Sequence, residues 1–196
     1  MYDSFETIAN STHLVPFSKN YKIENFDSGI EEYNKFLIEE AEYLHESGFS
    51  YTQLLLDNMS GDVIGYISLC MGSIKLSNSE KDMHKISSIH FNAIPSLKIG
   101  KLAIDKKYKE QCKGYGSYLI LIARGIASES SDNGISCRFI CVDADIEHNP
   151  KTWEFYGKND FLPNEALKSN NKTISMRLDI FNDEQDSELG ATGTEN

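Results

Sequence analysis

Two β-prone apolar runs, at 97–104 and 135–144, are joined by a glycine turn and a helix, and few folds can accommodate that unit. The first run carries Gly100 inside it and ends Leu102-Ala103-Ile104-Asp105. Gln111-Cys112-Lys113-Gly114-Tyr115-Gly116-Ser117 then opens into a segment, 116–128, that is apolar over nearly its whole circumference. Such a segment predicts a helix packed deep against a sheet. The second run, ending Val142-Asp143-Ala144, reads as buried throughout. The result is one strand–helix–strand crossover with its glycine turn at the carboxyl end of a strand, where open sheets bind ligands.

Upstream the pattern changes. Residues 1–11 are polar and read as loosely ordered. His13-Leu14-Val15-Pro16-Phe17 is a short strand that Pro16 places at an edge. Asp27-Ser28-Gly29 offers a cap for an amphipathic helix over 28–46, in which Ile30, Tyr33, Leu37, Ala41 and Leu44 recur at helical spacing. Residues 51–57 and 63–69 flank the turn Asn58-Met59-Ser60-Gly61-Asp62 and predict an antiparallel hairpin. The charged stretch 77–84 reads as a loop, and 86–91 as a further strand or an insertion. Pro150 opens a helix running to about Lys158, and 173–180 supplies a last strand. The fold class is α+β: a mixed central sheet, mostly antiparallel, flanked by helices.

The 196 residues suit one domain, expected over 1–181. Residues 182–196 are polar and aperiodic, and read as an acidic disordered tail. The formal charge is −11; without Asp179 and the residues after it, 24 acids still face 19 bases, a net −5. An acidic body disfavours broad nucleic-acid binding, which neutralises phosphates with Lys and Arg. No apolar stretch approaches the length of a membrane helix and no secretory signal opens the chain, so a cytoplasmic protein with no membrane partner is expected. Cys137 and Cys141 share a face of a β-like run and read as core thiols rather than metal ligands; Cys112 lies in the glycine turn.

That turn is where chemistry is written. Glycines before a helix N-terminus let the backbone approach closely and take positive φ, while unpaired N–H groups and the helix dipole favour phosphate. Lys98, Lys101, Lys106, Lys107, Lys109 and Lys113 surround the turn against only Asp105 and Glu110, a basic patch in an acidic chain. Gly-x-Gly alone is a weak signal that a tight strand-to-helix turn would equally produce. A dinucleotide fingerprint fails because Leu119 stands where its third glycine belongs.

The wider context resembles the GNAT superfamily of N-acetyltransferases. Its pyrophosphate loop, Gln/Arg-x-x-Gly-x-Gly/Ala, is matched by Gln111, Gly114 and Gly116, and its preceding strand by Leu102-Ala103-Ile104-Asp105. The downstream Asn-x-x-Ala-x-x-Phe-Tyr is met by Asn149, Phe155 and Tyr156, with Thr152 for the alanine. Tyr156-Gly157-Lys158-Asn159-Asp160-Phe161 follows the family continuation, with Asp160 in place of its glycine. The resemblance implies a splayed parallel strand pair and acetyl-CoA as cosubstrate, without a metal. Leu102, Ala103 and Ile104 would hold pantetheine and polarise the thioester carbonyl. Gln111, Cys112, Lys113, Gly114, Tyr115, Gly116 and Ser117 would take the pyrophosphate, and Asn149 and Phe155 would border the cofactor arm. Tyr156 would protonate the departing thiolate while the acceptor amine attacks directly.

The resemblance leaves the general base open. Asp143 and Asp145 lie near the end of the second strand, and an amine arriving partly neutral would need none; His45, His84, His90 and His148 are scattered. Phe26-Asp27-Ser28-Gly29, Phe36-Leu37, Thr52 and Gly65-Tyr66-Ile67-Ser68-Leu69 resemble the branch containing toxin-type acetyltransferases that modify aminoacyl-tRNA. The first reading is therefore an N-acetyltransferase for a primary amine on a small molecule, a peptide or aminoacyl-tRNA. The second is a toxin acetylating aminoacyl-tRNA, paired with an antitoxin. A homodimer through exposed C-terminal strands would fit the family. A non-catalytic acyl-CoA sensor on the same fold is the rival from another class, and retention of the glycines and Tyr156 argues against it.

Overall fold

The computed structural model describes residues 4–111, 114–130, 132–165 and 172–181. The expected tail, 182–196, and Cys112 and Lys113 of the glycine turn lie outside them. Seven strands form one sheet in the order β1-β2-β3-β4-β5-β7-β6. They are β1 (Thr12–Pro16), β2 (Tyr51–Asp57), β3 (Val63–Ile74), β4 (Ile94–Ile104), β5 (Phe139–Asp145), β6 (Leu162–Pro163) and β7 (Thr173–Asp179). The helices are α1 (Phe5–Ser11), α2 (Glu31–Lys35), α3 (Ala41–Glu46), α4 (Asn78–Met83), α5 (Lys106–Gln111), α6 (Tyr115–Glu129) and α7 (Thr152–Gly157). The chain divides into two compact units, Met1–Met71 with Ile99–Ala123 and Gly72–Lys98 with Arg124–Asn196.

In the first unit, β1 lies at the sheet edge and pairs antiparallel with β2, as Pro16 requires. β2 and β3 form the expected hairpin, with a bulge where Leu55 faces Gly65 and Leu56 faces Val63. The helix expected over 28–46 is α2 and α3 with one turn of π-helix, Phe36–Glu40, between them. Periodicity conceals that turn because it advances the apolar face by a single residue. Phe26, Phe36, Leu37, Ala41, Leu54 and Tyr66 form the core of this unit. The Tyr66 ring stacks on Phe36 and meets Phe26 edge-on, while its hydroxyl donates to the Tyr33 carbonyl at 2.9 Å. Residues 5–11, expected to be loose, form α1, capped by the Ser4 hydroxyl.

In the second unit, Ser96 faces Cys141 and Lys98 faces Asp143, so these parts of β4 and β5 run in the same direction. This is the parallel pair the crossover demands. β5 pairs antiparallel with β7 along its whole length, and β7 with the short β6. Residues 77–84 are α4 rather than a loop. Ser77 and Glu80 form a reciprocal capping box, and Lys85 at φ 54 ends the helix with the Ile86 N–H on the Lys81 carbonyl. Residues 86–91 form no strand. Among the described residues, no helix is long and apolar enough to cross a membrane.

Candidate active site

The first unit contains a strand end, a short helix and a glycine-capped helix start. β4 delivers Leu102, Ala103 and Ile104, with Ala103 and Ile104 buried and Leu102 half-buried. Gly65 of β3 permits this. A Cβ there would stand 2.5 Å from Ile104 Cδ1 and 2.7 Å from the Ala103 carbonyl oxygen. Asp105 then turns the chain into α5: its carboxylate accepts the N–H of Lys107 at 2.8 Å as a cap and that of Asp27 at 2.8 Å. Gln111 closes α5.

Gly114 has φ 141, a backbone state that favours glycine, and its carbonyl accepts the first bond of α6 from the Tyr118 N–H at 2.8 Å. The N–H groups of Tyr115, Gly116 and Ser117 therefore point out along the axis of a 15-residue helix. Gly116 lies within the first helical turn and needs no positive φ. This donor set and the helix dipole fit a pyrophosphate.

Of the basic patch read from the sequence, Lys113 lies outside the described residues, and the five described lysines are each engaged. Lys101 pairs with Glu32 at 2.5 Å, Lys106 with Asp27, and Lys107 with Asp62 at 3.1 Å. Lys109 donates to the Ser28 carbonyl at 3.0 Å, and in the second unit Lys98 meets Asp143 at 2.8 Å. The Lys106 ammonium, with help from the Gly29 N–H and Asn34, holds the Asp27 carboxyl down at about 2. Charge around the described lysines is thus closer to balance than the sequence suggests.

The second unit holds the candidate proton donor. Tyr156 sits on α7, 5% exposed, with Phe155 and Phe161 rings at 5.1 and 5.2 Å. Burial, and then the negative charge of Asp145, push its phenol above the ordinary tyrosine value. It stays protonated through neutral pH. Asp160 has φ 67, the conformation a glycine would take at that position in the family pattern. With the Asp160 N–H on the Gly157 carbonyl and the Phe161 N–H on the Tyr156 carbonyl, it ends α7 in a Schellman turn. Asn149 is exposed and starts the turn into α7: its Oδ1 accepts the Lys151 N–H and its carbonyl the Thr152 N–H.

Sequence reasoning passed over a buried cluster in this unit. Arg177 of β7 is 1% exposed, and its Nη1 donates to Glu80 Oε1 at 2.6 Å and to Asn164 Oδ1 at 3.0 Å. Its Nε donates to His84 Nε2 at 2.9 Å, so His84 carries its proton on Nδ1, facing Asp179 Oδ2 at 2.9 Å. Arg138 closes on Asp179 at 2.7 Å. The capping signature Ser77-x-x-Glu80 was the signal that could have located its first member.

No protein-family model matches the chain. Solved structures do match. AtaT complexed with acetyl-methionyl-tRNAfMet is 24% identical, covering 91% of this chain and 98% of that one, with a TM-score of 0.70. A tyrosine-to-phenylalanine mutant of KacT is 21% identical over 89% and 98%, with a TM-score of 0.72. Such a mutant of the AtaT toxin, bound to the C-terminus of the antitoxin AtaR and acetyl-CoA, is 23% identical over 93% and 99%, at 0.65. The chain has the GNAT fold.

Proposed function

We propose that residues 1–181 form an N-acetyltransferase that moves an acetyl group from acetyl-CoA to a primary amine. What supports this is that a chain with the GNAT fold carries both a glycine-capped α6 that fits pyrophosphate and a buried, protonated Tyr156. The N–H groups at the start of α6 hold the pyrophosphate, with Gln111, Cys112 and Lys113 beside them. Main-chain groups of Leu102, Ala103 and Ile104 hold the pantetheine arm, and an N–H at Ala103 or Ile104 steadies the carbonyl oxygen as negative charge develops. Asn149 and Phe155 border that arm. When bound, the coenzyme supplies an activated thioester; Tyr156 supplies the proton that its sulfur takes on leaving.

The acceptor has two readings. A small amine or peptide suits the acidic body and the lysines already engaged by Asp27, Glu32, Asp62 and Asp143. The second reading, a toxin acetylating aminoacyl-tRNA and held by an antitoxin, is favoured by the solved neighbours, one complexed with acetyl-methionyl-tRNAfMet and one bound to an antitoxin. Purified protein with labelled acetyl-CoA and separate pools of small amines, peptides and charged tRNA decides between them: label in the tRNA pool alone selects the toxin. In whichever pool is labelled, Tyr156→Phe should lower kcat by about 100-fold or more while coenzyme A still binds. Undiminished turnover in that variant would remove Tyr156 from the reaction.

A further inference from the structure

Asp105 is a carboxylate at 7% exposure that the reaction as described leaves unused. We propose that it is a positioning residue for the nucleotide half of coenzyme A: it fastens the start of α5 to the loop at 27–29, and so sets where α5 delivers the chain to the glycine turn. This rests on the acetyltransferase reading.

An ionised carboxylate presents two oxygens and donates from neither. Here each oxygen takes one main-chain N–H from a different segment. Lys107 in the first turn of α5 donates to Oδ1 and Asp27 to Oδ2, both at 2.8 Å. The link runs both ways, because the Lys106 N–H donates to the Asp27 carbonyl at 2.8 Å. One turn further along α5, Lys109 Nζ donates to the Ser28 carbonyl at 3.0 Å. The loop is itself braced. Gly29, at φ 80, turns its N–H onto Asp27 Oδ1 at 2.8 Å. Asn34 of α2 accepts the Ser28 N–H at 2.8 Å and donates to Asp27 Oδ1 at 3.1 Å.

α5 needs such an anchor. Its six residues span about 9 Å, too short to hold a helix by itself, still less an orientation. Its other ties lie farther along. The Tyr108 hydroxyl donates to Asp62 Oδ2 at 3.4 Å, and the Tyr108 ring stands edge-on, at 6.1 Å, to that of Tyr115, the first residue of α6. α5 thus lies between the loop that Asp105 holds and the helix start that fits pyrophosphate. Leu102, Ala103 and Ile104 precede Asp105 and take their place from β4, which the Asp105 N–H extends by closing on the Ile64 carbonyl at 2.8 Å. The Asp105 side chain therefore bears on the pyrophosphate end and the strand on the pantetheine arm, two contributions that can be separated.

Asparagine at 105 keeps the volume and one acceptor but sets an amide N–H against the second donor, in a place that water does not reach freely. The test compares acetyl-CoA with acetyl-pantetheine, which carries the same thioester and arm without the pyrophosphate. Both serve as donors for the full-length protein and the acceptor that the labelling experiment identifies. Asp105→Asn should raise KM for acetyl-CoA about 10-fold with kcat unchanged, and leave kcat/KM for acetyl-pantetheine as it is. A merely structural role lowers the rates with both donors alike; that result, or an unchanged KM for acetyl-CoA, overturns the proposal. Should Asp105→Asn fold poorly, Asn34→Ala decides. It loosens Asp27 from the α2 side of the loop and should show the same donor dependence at about threefold. Wild type that uses the two donors equally well removes the pyrophosphate site, and the proposal with it. Wild type that neither binds acetyl-CoA nor transfers acetyl overturns the acetyltransferase reading as well.

Discussion

In the first unit the lysines around the glycine turn meet Asp27, Glu32 and Asp62 at the surface, whereas in the second Arg177, Glu80, His84 and Asp179 meet in the interior. The groups are chemically alike, yet their consequences are opposite. A surface pair trades one set of water contacts for another and adds little. A buried guanidinium has surrendered its water and depends on each remaining partner. The two units therefore respond to charge deletion on different scales, and the largest prediction probes that difference. Arg177→Met should cost about 3–5 kcal/mol in urea unfolding, because Glu80 and His84 are left without their common donor. Lys107→Ala should leave the midpoint where it is. Equal responses would dissolve the contrast.

Acid sharpens the same comparison. Burial alone would raise the Asp179 and Glu80 carboxyls. Hydrogen bonds from His84 and Arg138 to the first, and from the Ser77 and Glu165 N–H groups to the second, more than offset this, so both sit below the ordinary carboxylate range. A depressed folded value contributes stability above the unfolded value, near pH ~4, and loses it as pH falls through the folded one. Arg177 adds to the lowering at Glu80, so the gap between wild type and Arg177→Met should narrow below about pH 4. A gap that widens there would contradict the assignment.

How legible these regions were in the sequence follows from the range of the interactions. The hairpin, the strand–helix–strand pattern of the crossover and the edge strand at Pro16 are signalled by local turn residues and periodicity, and they were readable. The lysine cluster was misread because its neutralising acids come from 45 to 79 residues away. The buried cluster was missed for the same reason: Glu80 and Arg177 are 97 positions apart, and Asp179 looked like one more acid beside an acidic tail. Tyr156 could be placed because Asn149, Phe155 and Phe161 surround it within one local pattern, whereas the Asp105–Asp27 bond spans 78 positions and needed the fold.

Gly65 turns the comparison toward the apolar side of the first unit. Its neighbours across the strand pair are the Ala103 carbonyl and Ile104 Cδ1, at distances no Cβ tolerates. The side chain could rotate, but the carbonyl belongs to the backbone proposed to hold pantetheine. Gly65→Ala should therefore cost about 1–3 kcal/mol and also weaken coenzyme A binding, because β4 must shift where the arm lies. Lost stability with unchanged binding would detach Ala103 and Ile104 from the cofactor.

The smallest effect tests whether Asp160 is kept for its charge or merely tolerated in its conformation. A non-glycine residue at φ 67 carries a strain on the order of 1 kcal/mol, which Asp and Asn bear better than most. Arg124 lies 3.5 Å away, a long pair with a carboxylate that is 75% exposed, too open to repay that strain. Asp160→Gly relieves the strain but widens the unfolded ensemble, so the net gain should be at most about 1 kcal/mol. Asp160→Asn keeps the conformational tolerance and removes the charge, and should match wild type. If Asp160→Asn loses stability, the Arg124 pair matters more than its geometry suggests. Because the Schellman turn bonds the Phe161 N–H to the Tyr156 carbonyl, Asp160→Gly should also leave the position of Tyr156, and with it kcat, unchanged. A fall in kcat would mean that Asp160 acts on the reaction through more than the turn it closes.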